Sequence, residues 1–167
     1  MTIPIPTEIS KMKVALTYLH WLTLPAALYW RYYVSPPGYG ESSDALTFCI
    51  GVMLLQPGLT AAIRFLFLRG PFESEHGKLA LTLNFWFASL SFGVVLVSIL
   101  SALSYVGLLL ALALFYLVLP LIVVVWWSVL TACSLLAVLG SSAEDILPQL
   151  PGVLRRHIEA KVHLPVG

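Results

Sequence analysis

The sequence predicts an all-α, polytopic membrane protein with four transmembrane helices. Hydrophobic residues make up 59% of the 167 residues, charged residues only 10%, and the mean hydropathy is +0.93. A soluble domain carries about 25% charged residues. The apolar residues form continuous runs, whereas barrel strands alternate apolar and polar positions. These values exclude a soluble globular protein, a disordered chain and a nucleic-acid-binding protein.

The first two predicted spans are residues 14–34 and residues 45–68. The first run is too long for the apolar part of a signal peptide and lacks a small-residue cleavage site, so we expect it to be retained. Arg64 lies one turn before the end of the second run. Gln56-Pro57-Gly58 predicts a kink within that span, either for packing or as a hinge.

The third and fourth spans come from one long uncharged segment. The 65 residues from Leu79 to Ala143 contain no Asp, Glu, Lys, Arg or His. At helical rise this segment covers about 98 Å, which is room for two spans. Small and polar residues at 101–107 predict the break between them, so the spans are 79–103 and 106–139. Residues 1–140 then form a four-helix bundle, and residues 141–167 form a tail.

The positive residues predict the orientation of the bundle. Seven of the nine Lys and Arg residues fall at the N-terminus, between spans two and three, or in the tail, and an eighth, Arg64, lies just inside the same end of span two. The excess of Lys and Arg marks the cytoplasmic side. Both termini are therefore expected there, in a bacterial inner membrane or a thylakoid or other organelle inner membrane.

The tail predicts a short interfacial helix on the inner membrane surface. Ser141 and Glu144 have the spacing of a capping box. An apolar stripe follows, formed by Leu147, Leu150, Leu154, Ile158 and Val162. Such a stripe favours contact with lipid headgroups or docking onto a partner subunit.

A predicted intramembrane polar cluster consists of His20, Gln56 and Asn84, one from each of the first three spans. Counted from the nearest Lys or Arg, each lies about 9–12 Å deep in the inner leaflet. Polar groups at such depth are costly unless they are paired. We expect these three to face the bundle interior, either as packing contacts or as a site for a small polar ligand or a lipid headgroup.

A second polar group, the inner-loop motif, precedes span three: Pro71, Phe72, Glu73, Glu75, His76, Gly77 and Lys78. Gly70-Pro71 predicts the start of a helix, and acids in the first turn suit the helix dipole. Glu75 and Lys78 have the spacing of an ion pair. His76, Ala80 and Asn84 share a helix face that is either a polar track or a packing seam.

The stretch from Pro71 to Leu81, followed by Asn84-Phe85, resembles the PFxxEHGKxAL motif of a prokaryotic family of small multi-span membrane proteins of unknown function. It is also similar to a pattern in the channel-like core subunit of the chloroplast inner-envelope import translocon. The similarity covers residues 64–140. It implies a four-helix membrane protein linked to protein transport or complex assembly.

The residues do not predict an enzyme. No predicted span carries paired carboxylates, a Ser/His/Asp set or metal-ligand spacing, so no cofactor or metal is expected. The composition favours a non-catalytic accessory, assembly or scaffold subunit whose partners are membrane lipids and other membrane proteins. The alternative is a small translocon-like conduit for polypeptides or small solutes.

Overall fold

The computed structural model describes residues 7–22, 25–26, 29–34, 42–150, 152 and 155–156. No strand occurs in these ranges, which confirms the all-α prediction for them. We number the α-helices in chain order: α1 (Glu8–Leu19), α2 (Ser42–Phe67), α3 (Pro71–Ser101), α4 (Tyr105–Val138) and α5 (Ala143–Ile146).

Helix α1 differs from the predicted first span at both ends. It begins at Glu8, because the Thr7 side chain caps it by accepting a hydrogen bond from the Ser10 amide. It ends at Leu19 and continues as a 3₁₀ turn, His20–Leu22. The His20 ring bonds a backbone carbonyl of the last turn, and Pro25 has no N–H to continue the helical ladder. A π-helical turn occupies Trp30–Val34. The span over residues 14–34 itself stays a prediction.

Helices α2 and α3 are joined by a short loop. Helix α2 is continuous through Pro57 and ends at Phe67. Pro71 opens α3, where its missing N–H costs nothing because a first-turn amide has no helical partner. Helix α3 ends at Ser101, within the segment where the sequence predicts a break. The Ser104 side chain then caps α4 by accepting from the Gly107 amide.

Helix α4 contains a π-helical turn at Leu114–Val118, directly before the turn that holds Pro120. A proline removes one amide donor and crowds the carbonyl four residues earlier. A π turn spaces the backbone differently, and such turns occur as single bulges within α-helices. The bulge lets one long helix accommodate this proline.

Gly140 ends α4 and turns the chain. Its φ is +87°, a left-handed conformation that glycine adopts without strain. The Gly140 amide donates to the Ala137 carbonyl, and the Ser141 amide donates to the Leu136 carbonyl. This pair of bonds is a Schellman motif. It satisfies the last carbonyls of α4 and directs residues 141–150 away from the helix axis.

The short helix α5 corrects the predicted capping box by one residue. Ser142, not Ser141, is the N-cap: it accepts from the Asp145 amide, and the Asp145 carboxylate accepts in return from the Ser142 amide. A 3₁₀ turn, Leu147–Gln149, follows α5. The remaining residues of the predicted apolar stripe, Leu154, Ile158 and Val162, lie outside the described residues.

The chain divides into two compact units. The first unit is drawn from Met1–His20, Leu59–Asn84 and Val129–Gly167, and the second from Trp21–Gly58 and Phe85–Ser128. Buried side chains of the second unit include Phe87, Ala88, Val95 and Trp126, and the Phe87 and Trp126 rings stack with centroids 6.1 Å apart.

In the described part of the chain, two helices are long and apolar enough to cross a membrane: α3 and α4, with 31 and 34 residues. The remaining two predicted spans stay predictions. The same is true of the position of the two termini.

Candidate functional site

Glu73, in the first turn of α3, bonds polar groups of α1 and of the α2–α3 loop. This carboxylate is buried, and each of its oxygens accepts two hydrogen bonds. Oε1 accepts from the Ser10 hydroxyl at 2.9 Å and from Lys13 Nζ at 3.5 Å. Oε2 accepts from the Arg69 and Gly70 amides at 3.0 and 3.3 Å. Glu73 therefore holds the α2–α3 loop and α1 to the start of α3.

His76, one turn further along α3, is fully buried and joins two other segments. Its Nε2 lies 3.0 Å from the Ser141 carbonyl oxygen, and its Nδ1 lies 3.1 Å from the Tyr18 hydroxyl. A carbonyl can only accept, so Nε2 carries the proton and Nδ1 accepts from Tyr18. One neutral ring thus connects α1, α3 and the turn after α4. The Schellman turn at Gly140 is what brings the Ser141 carbonyl to this position.

His20 uses the opposite tautomer. Its Nδ1 lies 2.6 Å from the Thr17 carbonyl oxygen, so Nδ1 is the donor. Its Nε2 lies 2.9 Å from the Thr60 hydroxyl, which then donates to it. This second buried ring connects the end of α1 to α2.

All three residues of the predicted intramembrane cluster are buried, but they do not all belong to the same unit. His20 and Asn84 belong to the first unit and Gln56 to the second. Asn84 Nδ2 donates to the Ala80 carbonyl, one turn earlier on its own helix, at 2.9 Å. Mutual hydrogen bonding of the three side chains therefore stays a prediction. The bonds described for His20 are to the last turn of α1 and to Thr60 of α2, and the bond described for Asn84 is to its own helix.

The other residues of the inner-loop motif have varied roles. The Phe72 ring packs edge-on against His76, with centroids 4.5 Å apart. Gly77 lets α2 approach closely, because a Cβ there would lie 2.8 Å from Leu68 Cδ1 and 3.0 Å from Arg64 Cγ. The predicted ion pair is wrong, since in the described part of the chain Lys78 pairs with no carboxylate. Glu75 is half-buried, and Lys78 is exposed on the helix surface.

Sequence reasoning missed the partners that α1 and α4 supply. Tyr18, Ser10 and Lys13 lie on α1, and Ser134 on α4 donates to the Ala15 carbonyl at 3.2 Å. One local signal was available: Thr7 followed by Glu8 is an N-cap pattern and would have started α1 earlier. No local pattern indicates that Ser141 would offer a backbone carbonyl to His76.

This arrangement can hold helices together, and its hydrogen-bonding capacity is largely used in doing so. Glu73 accepts four bonds, and both nitrogens of His76 and of His20 have partners. Among the described residues, no three His, Cys, Asp or Glu side chains are placed to hold one metal ion. We call this set of side chains, Glu73, His76, His20 and their partners, the polar seam.

Comparisons with protein-family models, with curated proteins and with solved structures found no match to this chain.

Proposed function

We propose that the chain is a non-catalytic integral membrane protein that acts as an accessory, assembly or scaffold subunit of a larger membrane complex. The observation that carries this proposal is the exposure of α3 and α4. In the most apolar stretch of α3, 33% of the residues are buried, and in that of α4 only 11% are buried. A helix this apolar in a soluble protein would be mostly buried, so this exposure supports coverage by lipid or by other apolar helices.

The apolar surface of α4 supports lipid or helix contact along most of its length. Exposed side chains include Tyr105, Val106, Leu109, Tyr116, Leu117, Leu121 and Leu135. No described Asp, Glu, Lys, Arg or His interrupts this surface. In water such a surface would associate, whereas in a bilayer it needs no further partner.

The polar seam supports a structural role for the buried polar groups. Its carboxylate and imidazoles bond groups on α1, the α2–α3 loop and the turn after α4. A catalytic acid or base must instead reach a substrate proton. Side chains that already hold several segments together suit a rigid scaffold better than a reaction centre.

Within this proposal the chain crosses the membrane four times, with both termini on the cytoplasmic side. The distribution of Lys and Arg supports this topology. Single cysteines placed near residue 3, in the 35–41 connection and near residue 165 would test it with a membrane-impermeant maleimide. We expect only the cysteine of the 35–41 connection to react from the outer face. If the cysteines near residues 3 and 165 reacted from opposite faces of the membrane, the prediction of four spans would be contradicted.

The subunit role is tested by native purification. The chain is tagged at its C-terminus, expressed at native level, extracted in mild detergent and analysed for co-purifying proteins at fixed stoichiometry. A defined complex that dissociates when Leu109 and Leu121 are changed to Ala would support the role. A homogeneous single species that contains this chain alone would count against it.

A small translocon-like conduit is the second candidate, and one observation favours it. Asn84, Ser91 and Ser98 recur at seven-residue spacing on α3, and all three are buried. The Ser91 hydroxyl has no hydrogen-bond partner within the described residues. A row of buried polar groups along a spanning helix is typical of a solute pathway. Solute-dependent flux in liposomes that Ser91→Ala alters would favour this candidate over the scaffold.

A further inference from the structure

An open groove lies between the end of α2 and the start of α3, within the first unit. Its volume is about 510 Å³, and it is lined by Ala61, Arg64, Phe65, Leu68, Ser74 and Leu81. The α2 residues Ala61, Arg64 and Phe65, with Leu68 directly after the helix end, are spaced i, i+3, i+4 and i+7, which places them on one face. Ser74 and Leu81 lie seven residues apart on one face of α3. Two helix stripes thus form the walls.

The groove carries positive charge that nothing in the described part of the chain neutralises. Arg64 lines it and forms no ion pair there. Lys78 is not one of the lining residues, but it lies between Ser74 and Leu81 on the same face of α3, is exposed, and likewise has no carboxylate partner. Two carboxylates lie nearby in sequence. Glu73 is already engaged by Lys13 and the loop amides, and Glu75 neither lines the groove nor forms an ion pair with Lys78.

Close packing and hydrogen bonds hold the walls of the groove near Arg64. Gly77 packs against the aliphatic part of the Arg64 side chain. A Cβ added at Gly77 would lie 3.0 Å from Arg64 Cγ. Glu73 fixes the connecting loop through the Arg69 and Gly70 amides. These contacts lie within the chain itself, and a site shaped in this way lowers the entropy cost of binding.

The apolar side of the groove is exposed rather than closed. Phe65 is 84% exposed, and Leu66 and Phe67 beside it are also exposed. An occupant must therefore combine an anionic group, for Arg64 and Lys78, with an apolar portion for this surface. Phosphate is the anion that a guanidinium fork and an ammonium both bind well.

We propose that this groove binds the phosphate of an anionic phospholipid headgroup, with Arg64 and Lys78 as its cationic contacts and Phe65 against its acyl chain. The inference rests on the proposed membrane location of the protein. Positive residues at the cytoplasmic end of spanning helices attract anionic lipids, and a pocket between helices makes that attraction specific.

The test compares lipids retained by the full chain after extraction from phosphatidylcholine vesicles that contain a minor fraction of phosphatidylglycerol. Native mass spectrometry counts the two lipids on each protein. We expect the wild-type chain to retain phosphatidylglycerol preferentially. Arg64→Gln should lower that preference about fivefold, which is the effect of one cation near a membrane surface.

Three further samples make the result specific. Arg69→Gln removes an exposed cation of the same loop that does not line the groove, and it should change the preference less than about twofold. Ala61→Phe fills the groove without altering charge, and it should lower retention as Arg64→Gln does. Arg64→Lys should restore part of the preference because the positive charge returns.

Several outcomes would overturn the inference. Equal retention of both lipids by the wild-type chain, or equal losses with Arg64→Gln and Arg69→Gln, would show general surface attraction instead of a site. Displacement of the lipid by excess inorganic phosphate would assign the groove to free phosphate. A chain that stays in the aqueous fraction would contradict the membrane location, and the site with it.

Discussion

The two units of this chain bury their polar side chains in different ways. Of the ten buried polar side chains in the described residues, seven lie in the first unit, and Gln56, Ser91 and Ser98 lie in the second. In the first unit, polar bonds connect residues up to 119 positions apart in sequence. The second unit includes most of the apolar, exposed surface of α4. Directional hydrogen bonds and ion pairs define how the segments of the first unit meet. The second unit depends on apolar packing and on whatever covers the exposed surface of α4.

This difference has a physical reason. Hydrogen bonds and ion pairs require particular partners, so they define how segments meet. Apolar contacts are non-directional and tolerate many neighbours, including lipid. Substitutions in the first unit should therefore disturb internal stability. Substitutions on exposed α4 should report on the environment around the helix.

The largest effect is expected from His76→Ala. The change removes the ring partner of the Tyr18 hydroxyl and of the Ser141 carbonyl and opens a cavity, so the free energy of unfolding should fall by about 4 kcal/mol. The backbone carbonyl of residue 76, which lies 3.4 Å from the Tyr18 hydroxyl, stays available as an acceptor. Tyr18→Phe removes only the hydroxyl, with its contacts to the His76 ring and the His76 carbonyl, and should lower the free energy of unfolding by about 1–2 kcal/mol. Denaturant unfolding in detergent measures both. If the His76→Ala protein were as stable as wild type, directional polar bonds would not be what stabilises the first unit.

A lysine on the exposed face of α4 tests the second unit. Leu121→Lys lies near the middle of α4 and should make membrane insertion less favourable by about 3 kcal/mol. Leu139→Lys, beyond the end of α4, should have a much smaller effect because the ammonium reaches water. A glycosylation-based insertion assay compares the two. Equal, negligible effects would indicate that the α4 surface faces water.

Glu73→Gln tests how much the first unit depends on charge. The amide keeps an acceptor but loses the attraction to Lys13 and two charge-assisted backbone bonds, so stability should fall by about 2 kcal/mol. Glu75→Gln is the matched control, since no hydrogen bond or ion pair of its carboxylate occurs in the described residues. Comparable losses in the two variants would contradict the assigned role of Glu73.

A pair of glycines on α3 compares close packing in the two units. Gly77→Ala introduces a methyl group against Leu68 and Arg64, and we expect a loss of about 1.5 kcal/mol. Gly93→Ala meets no atom within 4 Å, so it should be neutral or slightly stabilising through its higher helix propensity. Thermal unfolding of both variants in one detergent measures the difference. The reverse order would show that α2 and α3 do not meet at Gly77.

The smallest effect concerns the helix cap at α5. Hydrogen bonds from the Ser142 hydroxyl and amide hold the pKa of Asp145 below its usual value. The cap is therefore present above the ordinary carboxyl pKa, and it is lost as pH falls through the lowered one. Asp145→Asn should remove this acid dependence, whereas Glu144→Gln should keep it. NMR chemical shifts of residues 142–146 between neutral and acidic pH would follow the change.

Local patterns were sufficient for the parts of the fold that depend on neighbouring residues. Pro71 after Gly70 indicates the start of α3, and the Ser- and Gly-containing segment 101–107 indicates its end. The exposure of α4 follows from an uninterrupted apolar run. Even so, the N-cap of α5 was misplaced by one residue, because Ser141 and Ser142 both have an acid three positions later.

The sequence by itself determined that this chain is helical, where two of its long apolar helices begin and end, and which polar side chains are too costly to leave unpaired. Tertiary structure alone decided the pairing: Tyr18 and Ser141 with His76, Thr60 with His20, and Ser10 with Glu73. Helix formation and burial are governed by residues close in sequence or by composition. The choice of a partner dozens of residues away depends on how the backbone turns, as at Gly140, and no local pattern specifies it.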